Sequence, residues 1–201
     1  MSKISPSLVD RTTTQGAIEE AALQTFYEMG YHGASIRAIA KGAGVGVATL
    51  FHYYPTKAAI LEQIVNGAAD AMQADLDRAV ADVDDPTERL VLAVRTMVIA
   101  SCIRQRESFV AQSEFRSLSP EAFRLNREKR RRIQTLFFDT VEAGIAAGEF
   151  AASHPTDLAR SLVLLSSAVA FWYEADQAVS IPDVAERHVE MALNLVGART
   201  R

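Results

Sequence analysis

The residues with the greatest chemical reach in this chain lie between Ser35 and Lys57, in the run SIRAIAKGAGVGVATLFHYYPTK. Arg37 and Lys41 stand four apart, which places two cations on one face of a helix whose other face holds Ile36, Ile39 and Ala40. Gly42-Ala43-Gly44 then interrupts that helix, and Gly44 can take the positive φ that a tight inter-helix turn requires. A second short helix is expected over Val47–Tyr54, with Leu50 and Tyr54 inward and Thr49 and Tyr53 outward. Its first turn is small: Gly46, Val47 and Ala48. Such a surface suits a duplex. Small side chains let a helix approach base edges, Thr49 offers a hydroxyl and a methyl, and Arg37 can reach a guanine edge or a phosphate. His52, Tyr53 and Lys57 suit backbone phosphates, Lys57 with the positive end of the next helix behind it.

Other chemistries are poorly served. No G-x-S-x-G, H-E-x-x-H, C-x-x-C or P-loop pattern occurs. GAGVG has neither a preceding strand nor the third glycine of a dinucleotide fingerprint, since Val47 holds that place. His32, His52, His154 and His188 are scattered without ligand spacing, and Cys102 lies in the apolar run MVIASCI. No catalytic residue, metal or cofactor is therefore expected. A helical interaction module without DNA binding would explain the helices, but not a small, basic-flanked second helix.

These groups need elements to hold them, and the punctuation is helical throughout. Ile18, Ala21, Ala22, Thr25, Phe26 and Met29 recur at helical spacing and Gly30 closes that segment. Ser35 can cap a helix to about Ala43, and Thr56 one to about Ala81. Asp85, Pro86 and Glu88 fit N-cap, N1 and N3 of a helix to about Arg104. Ser119-Pro120 opens a segment reaching Gly148, and helices near Asp157–Tyr173 and Pro182–Val196 complete the chain. The fold class is all-α, about nine helices, with a helix-turn-helix domain over residues 1–56 and a larger helical domain over 57–201. No apolar run approaches the roughly 18 residues of a membrane span, and Met1–Asp10 is not a secretory signal. With one cysteine in the chain, a reducing, cytoplasmic location is expected. The net charge of −4 argues at first against nucleic acid, but its distribution does not. Residues 1–57 carry 5 basic and 4 acidic groups, and the rest 16 and 21. A small basic surface on an acidic protein is thus permitted.

The stretch ASIRAIAKGAGVGVATLFHYYPTKAAIL resembles the DNA-binding signature of the TetR family over roughly residues 11–65. The resemblance implies a three-helix DNA-binding domain, a homodimer on a palindromic operator, and a ligand pocket in the remaining chain whose small-molecule effector releases the repressor. It places Arg37, Val47, Ala48, Thr49 and Phe51 at bases, and His52, Tyr53 and Lys57 at phosphates. Two departures stand out. Gly46 replaces the usual capping residue, at a cost of a few tenths of a kcal/mol. Val47 is apolar where a polar base reader is common.

The larger domain carries less specific signals. REKRRR (Arg127–Arg132), with Arg124 one turn before, is by default a solvated basic face and otherwise an anion site. An apolar effector pocket is assigned to Met97, Phe115, Phe138 and Trp172 among the aromatic-rich stretches. The run from Ser113 to Ile133, with AGIAAGEF and FWYEADQAVS, is similar to the TetR branch that senses acyl-CoA thioesters. That similarity implies CoA phosphates at Arg124, Arg127, Arg130 or Arg131. The alternative is an uncharged apolar effector. Finally, Leu158, Leu162, Leu165, Val169 and Trp172 form one stripe, and Val184, His188, Met191, Ala192 and Leu195 another. Pairing both stripes with their copies gives a four-helix dimer interface.

Overall fold

The structure, a computed structural model, describes residues 12–174 and 179–198, with Ile4, Leu8 and Asp10. Nine α-helices and two 3₁₀ turns make up the ordered elements among the described residues, with no strand. The helices are α1 Thr14–Gly33, α2 Ile36–Gly42, α3 Val47–Tyr53, α4 Lys57–Val80, α5 Pro86–Ile103, α6 Gln105–Ser113, α7 Pro120–Ala146, α8 Pro155–Ser167 and α9 Ile181–Leu195.

Local chemistry starts most of them. The Ser35 hydroxyl accepts from Ala38 N (3.1 Å), Thr56 from Ala59 N (3.1 Å), Asp85 from Glu88 N (2.8 Å) and Ser119 from Ala122 N (3.3 Å). Each satisfies one amide that a helix leaves unpaired at its start. Two departures from expectation appear at the ends. A separate helix, α6, fills the stretch after Arg104. And α8 stops at Ser167 rather than reaching Tyr173, giving way to a 3₁₀ turn over Ala168–Phe171. The Ser166 and Ser167 hydroxyls donate back to the carbonyls of Leu162 and Leu164 there, which competes with the α-helical ladder.

The chain forms two compact units, each with its own core. The N-terminal unit holds α1 to α3, α4 up to residue 71, and residues 106–129. Its core is Ile18, Leu23, Phe26, Ile39, Leu50, Ile60 and Leu61, joined by Val110, Leu118 and Ala122 from the later segment. The C-terminal unit holds the remainder of α4, α5, the rest of α7, α8 and α9. Leu76, Leu90, Val94, Phe137, Leu162, Val169 and Val184 lie in its core, where α5 packs on both α8 and α9. The expected division after residue 56 is therefore displaced. α4 alone leaves the three N-terminal helices short of apolar cover, and the segment 106–129 supplies the rest.

Each unit also carries a polar tie, buried in the C-terminal unit and partly exposed in the N-terminal one. In the C-terminal unit Arg104 Nη2 meets Asp75 Oδ2 at 2.6 Å, with both side chains about 95% buried, and Arg78 Nη1 reaches the other oxygen at 2.9 Å. In the N-terminal unit Arg106 bonds Gln24 Oε1 (2.5 Å) and Glu20 Oε1 (2.9 Å), fastening α6 to α1.

Candidate nucleic-acid interface

The proposed reading surface begins with how α2 ends. Ala43 N donates to Ile39 O, Gly44 N to Lys41 O and Val45 N to Ala40 O, at 2.9, 3.2 and 3.0 Å. That crossed pair of bonds closes a helix only if one residue turns left-handed, and Gly44 does so at φ 68°. The reversal delivers Gly46, extended at φ −71° and ψ 151°, as N-cap of α3 without a side-chain cap. Behind α3, Leu50 is fully buried and Tyr54 nearly so. Burying a leucine contributes about 1.5–3 kcal/mol, enough to seat a seven-residue helix too short to persist alone.

With Leu50 as the plug, the remaining side chains of α3 face outward. Ala48, Thr49 and His52 are exposed, and the apolar or aromatic Val47, Phe51 and Tyr53 remain 38%, 46% and 41% exposed. Large apolar groups left this open are unusual unless something covers them. His52 and Tyr53 sit edge to face with ring centroids 5.4 Å apart. Arg37 and Lys41 on α2 are exposed as well. The structure thus leaves seven of the eight residues assigned to DNA open to solvent on one unit.

Lys57 differs. Its ammonium donates to the carbonyls of Tyr31 (2.6 Å) and Ala34 (2.7 Å) and lies 4.3 Å from the centre of the Tyr31 ring. Sequence reasoning gave this charge to a phosphate. Here it closes the end of α1, where Gly30 breaks the helix at φ 69° and leaves carbonyls needing donors. A second tie escaped the sequence reading. Tyr54 Oη donates to Glu19 Oε1, and Gln15 Nε2 donates to the same oxygen (3.1 Å) and to Tyr54 Oη (3.0 Å). Burial, reinforced by the Glu19 carboxylate, holds the Tyr54 phenol well above its ordinary value. A signal was present, since Glu19 shares the helical spacing of Ala22, Leu23 and Phe26, all buried.

Residues 18–64 match the family model for bacterial regulatory proteins of the tetR family, and residues 83–196 match a tetracyclin repressor-like C-terminal domain. The chain belongs to the TetR family. A curated relative, the HTH-type transcriptional repressor KstR2 of Rhodococcus jostii, is 25% identical over 177 residues, 87% of each chain. Among solved structures, a bacterial regulatory protein in the tetR family from Rhodococcus RHA1 is 28% identical, with a TM-score of 0.88 over 94% of this chain and 99% of that one. AibR, solved in complex with isovaleryl coenzyme A and operator DNA, shares the fold at 21% identity, with a TM-score of 0.84 over 93% of this chain and all of that one.

In this TetR-family chain the residues assigned to an effector pocket do not gather in one unit. Met97 is buried in the C-terminal core and Phe138 packs against that core. Trp172, expected inside, is 48% exposed and stacks on the buried His188 with centroids 6.0 Å apart, because α8 has already ended before it. Phe115 belongs to the N-terminal unit, stacked on Phe123 at 5.6 Å. Of the arginines on α7, Arg124 and Arg131 are exposed, while Arg130 is half-buried and its guanidinium pKa is lowered by that burial. One further group is Ser101, one turn beyond Met97 on α5, which is 1% exposed and whose hydroxyl has no hydrogen-bond partner among the described residues. Cys102 beside it is a buried thiol whose pKa burial pushes up to about 12, so it stays protonated.

The interface assignment also needs correction. Leu162, Val169 and Val184 lie within the chain's own core, at 0%, 0% and 3% exposure. Leu158 and Leu165 are half-buried, and Met191 and Leu195 are exposed. Leu162 on α8 and Val169 in the 3₁₀ turn after it thus belong to the core in which α5 packs on both elements. Large apolar groups remain exposed at Leu164 and Phe171, outside the expected stripe, and at Trp172, which was expected both in the stripe and in a pocket.

Proposed function

We propose that this protein is a ligand-responsive transcriptional repressor that binds a palindromic DNA operator as a homodimer and is released by a small-molecule effector. The observation that carries the reading is the composition of the exposed side of α3: small at its start, apolar and aromatic beyond, and seated on Leu50. Val47 and Ala48 leave room for close approach and can meet thymine methyls, Thr49 supplies a hydroxyl, and Arg37 beside them suits guanine or phosphate. Phe51 gives apolar contact, and His52 and Tyr53 suit phosphates. Two copies held with their α3 helices about 34–36 Å apart enter successive major grooves. The exposed Leu164, Phe171, Trp172, Met191 and Leu195 of the C-terminal unit supply an apolar surface for that pairing. Among the described residues no helix is long and apolar enough to cross a membrane, and we read the protein as a cytoplasmic regulator without catalytic activity.

For the effector we propose an acyl-CoA thioester. Support comes from the AibR neighbour, whose structure holds isovaleryl coenzyme A with operator DNA, and from the arginine-rich helix α7. Arg130 and Arg131, in the same unit as Met97, offer guanidinium forks that match phosphate geometry. The unpartnered Ser101 hydroxyl, one turn from Met97, is a polar point inside an apolar unit that a thioester oxygen can satisfy. An effector favouring a differently spaced dimer by about 1–3 kcal/mol lowers operator affinity roughly 5- to 150-fold.

The decisive experiment selects bound duplexes from a random pool, with and without a panel of acyl-CoAs. A palindrome whose recovery falls with one acyl chain length supports both halves. Recovery of no sequence refutes the operator, and release by an uncharged apolar compound alone refutes the thioester. Thr49→Ala is expected to relax base preference at one position of each half-site.

A further inference from the structure

Resting on the DNA-binding reading above, we propose that Tyr54 and Glu19 are positioning residues that set the tilt of α3, and with it the protein's ability to discriminate operator from other DNA. Neither contacts the outer surface. Tyr54 is 6% exposed and Glu19 9%. Their role follows from how few points hold α3. It has seven residues, its N-cap Gly46 supplies no side-chain bond, and Leu50 is its buried residue. One apolar plug near the middle of a short helix resists withdrawal but not rocking, because dispersion and hydrophobic contacts have little directional preference. A second, directional fixed point is needed at one end.

Tyr54 is that point. It is the C-cap of α3, and its hydroxyl lies in the α1 network where Glu19 Oε1 accepts from it and Gln15 Nε2 donates to both. Gln15 and Glu19 are one turn apart on α1, so the acceptor is itself oriented by its own helix. A hydrogen bond from a neutral hydroxyl to a largely buried carboxylate is directional. The leverage is large. From Tyr54 to Val47 is about 10 Å along the axis, so a rock of about 10° at the cap moves the first turn by roughly 2 Å. Hydrogen bonds to base edges do not survive such a shift, whereas attraction between cations and phosphates changes little. The network therefore governs specific binding and leaves non-specific binding alone.

The test compares the operator with a scrambled duplex by fluorescence anisotropy, at a temperature where circular dichroism shows every variant folded. Tyr54→Phe keeps the ring and removes the hydroxyl. It is expected to weaken operator binding about tenfold while the scrambled duplex and its salt dependence stay at the wild-type value. Glu19→Gln keeps an acceptor for Tyr54 and is expected to retain most of the discrimination. The paired change Glu19→Leu with Tyr54→Phe replaces both partners with apolar groups, so it is expected to recover thermal stability without recovering the operator preference. Wild-type discrimination in that pair, or an equal loss on both duplexes in Tyr54→Phe, would overturn the proposal. A wild-type protein that discriminates no sequence would overturn the DNA-binding reading and this inference together. Wild-type discrimination lost in neither variant overturns this inference alone.

Discussion

Replacing Lys57 with Met separates two roles that the sequence cannot distinguish. Met keeps most of the aliphatic stem, so packing is largely conserved and the ammonium alone is removed. That ammonium donates to Tyr31 O at 2.6 Å and Ala34 O at 2.7 Å and lies over the Tyr31 ring. Charge-assisted bonds are each worth about 1.5–3 kcal/mol when well buried, and an exposed cation–π contact about 0.5–1 kcal/mol. Lys57 is only half-buried, so water screens part of this and takes over part of the carbonyls' need for donors. About 2 kcal/mol of lost stability remains, which for a chain of this size lowers the unfolding midpoint by about 4–8 °C. Thermal unfolding reads that directly. The second readout is the slope of log affinity for DNA against log salt between 50 and 200 mM, values chosen at roughly the usual range for such titrations. A lysine bound to a phosphate contributes about 0.9 to that slope. Engaged with its own carbonyls, Lys57 is expected to leave the slope unchanged. An unaltered midpoint together with a slope reduced by about one would refute the assignment and return the residue to the phosphate backbone.

Three further outcomes are expected. Asp75→Ala strands the buried Arg104 guanidinium and is expected to cost about 3–5 kcal/mol, read by urea unfolding, while replacing Asp75 and Arg104 together with apolar residues recovers most of it. A double replacement as damaging as the single one would refute the pairwise account. Gly46→Ser has room, since an added Cβ meets nothing nearer than Thr49 Oγ1 at 3.8 Å, and is expected to raise stability by a few tenths of a kcal/mol through a cap to the start of α3. Ser101→Ala removes a buried hydroxyl that bonds nothing among the described residues, so the free protein is expected to be unchanged or slightly stabilised, while effector affinity measured by calorimetry falls. A marked loss of stability without effector would show that the hydroxyl has a partner after all.

Much of this protein was legible in its sequence, and for a local reason. Caps such as Ser35, Thr56, Asp85 and Ser119 act on amides three residues away, so the order of types reveals them. The glycine that turns α2 into α3 is legible for the same reason, because positive φ is a property of one residue. The outward face of α3 also followed from spacing alone, since Leu50 and Tyr54 are four apart and leave Thr49 and Tyr53 on the other side. What escaped was every feature decided by a partner distant along the chain. Lys57 reads as a free cation until α1 breaks at Gly30 and presents two carbonyls to it. The apolar stripe that runs through α8 reads equally well as a dimer face or a core face, and only tertiary packing, with α5 on α8 and on the turn after it, puts Leu162 and Val169 in the core. The division between units moved for the same reason, because residues 106–129 close the N-terminal core from half a chain away. Helical periodicity says which residues share a face. It carries no information about what that face meets, and that was settled by tertiary packing.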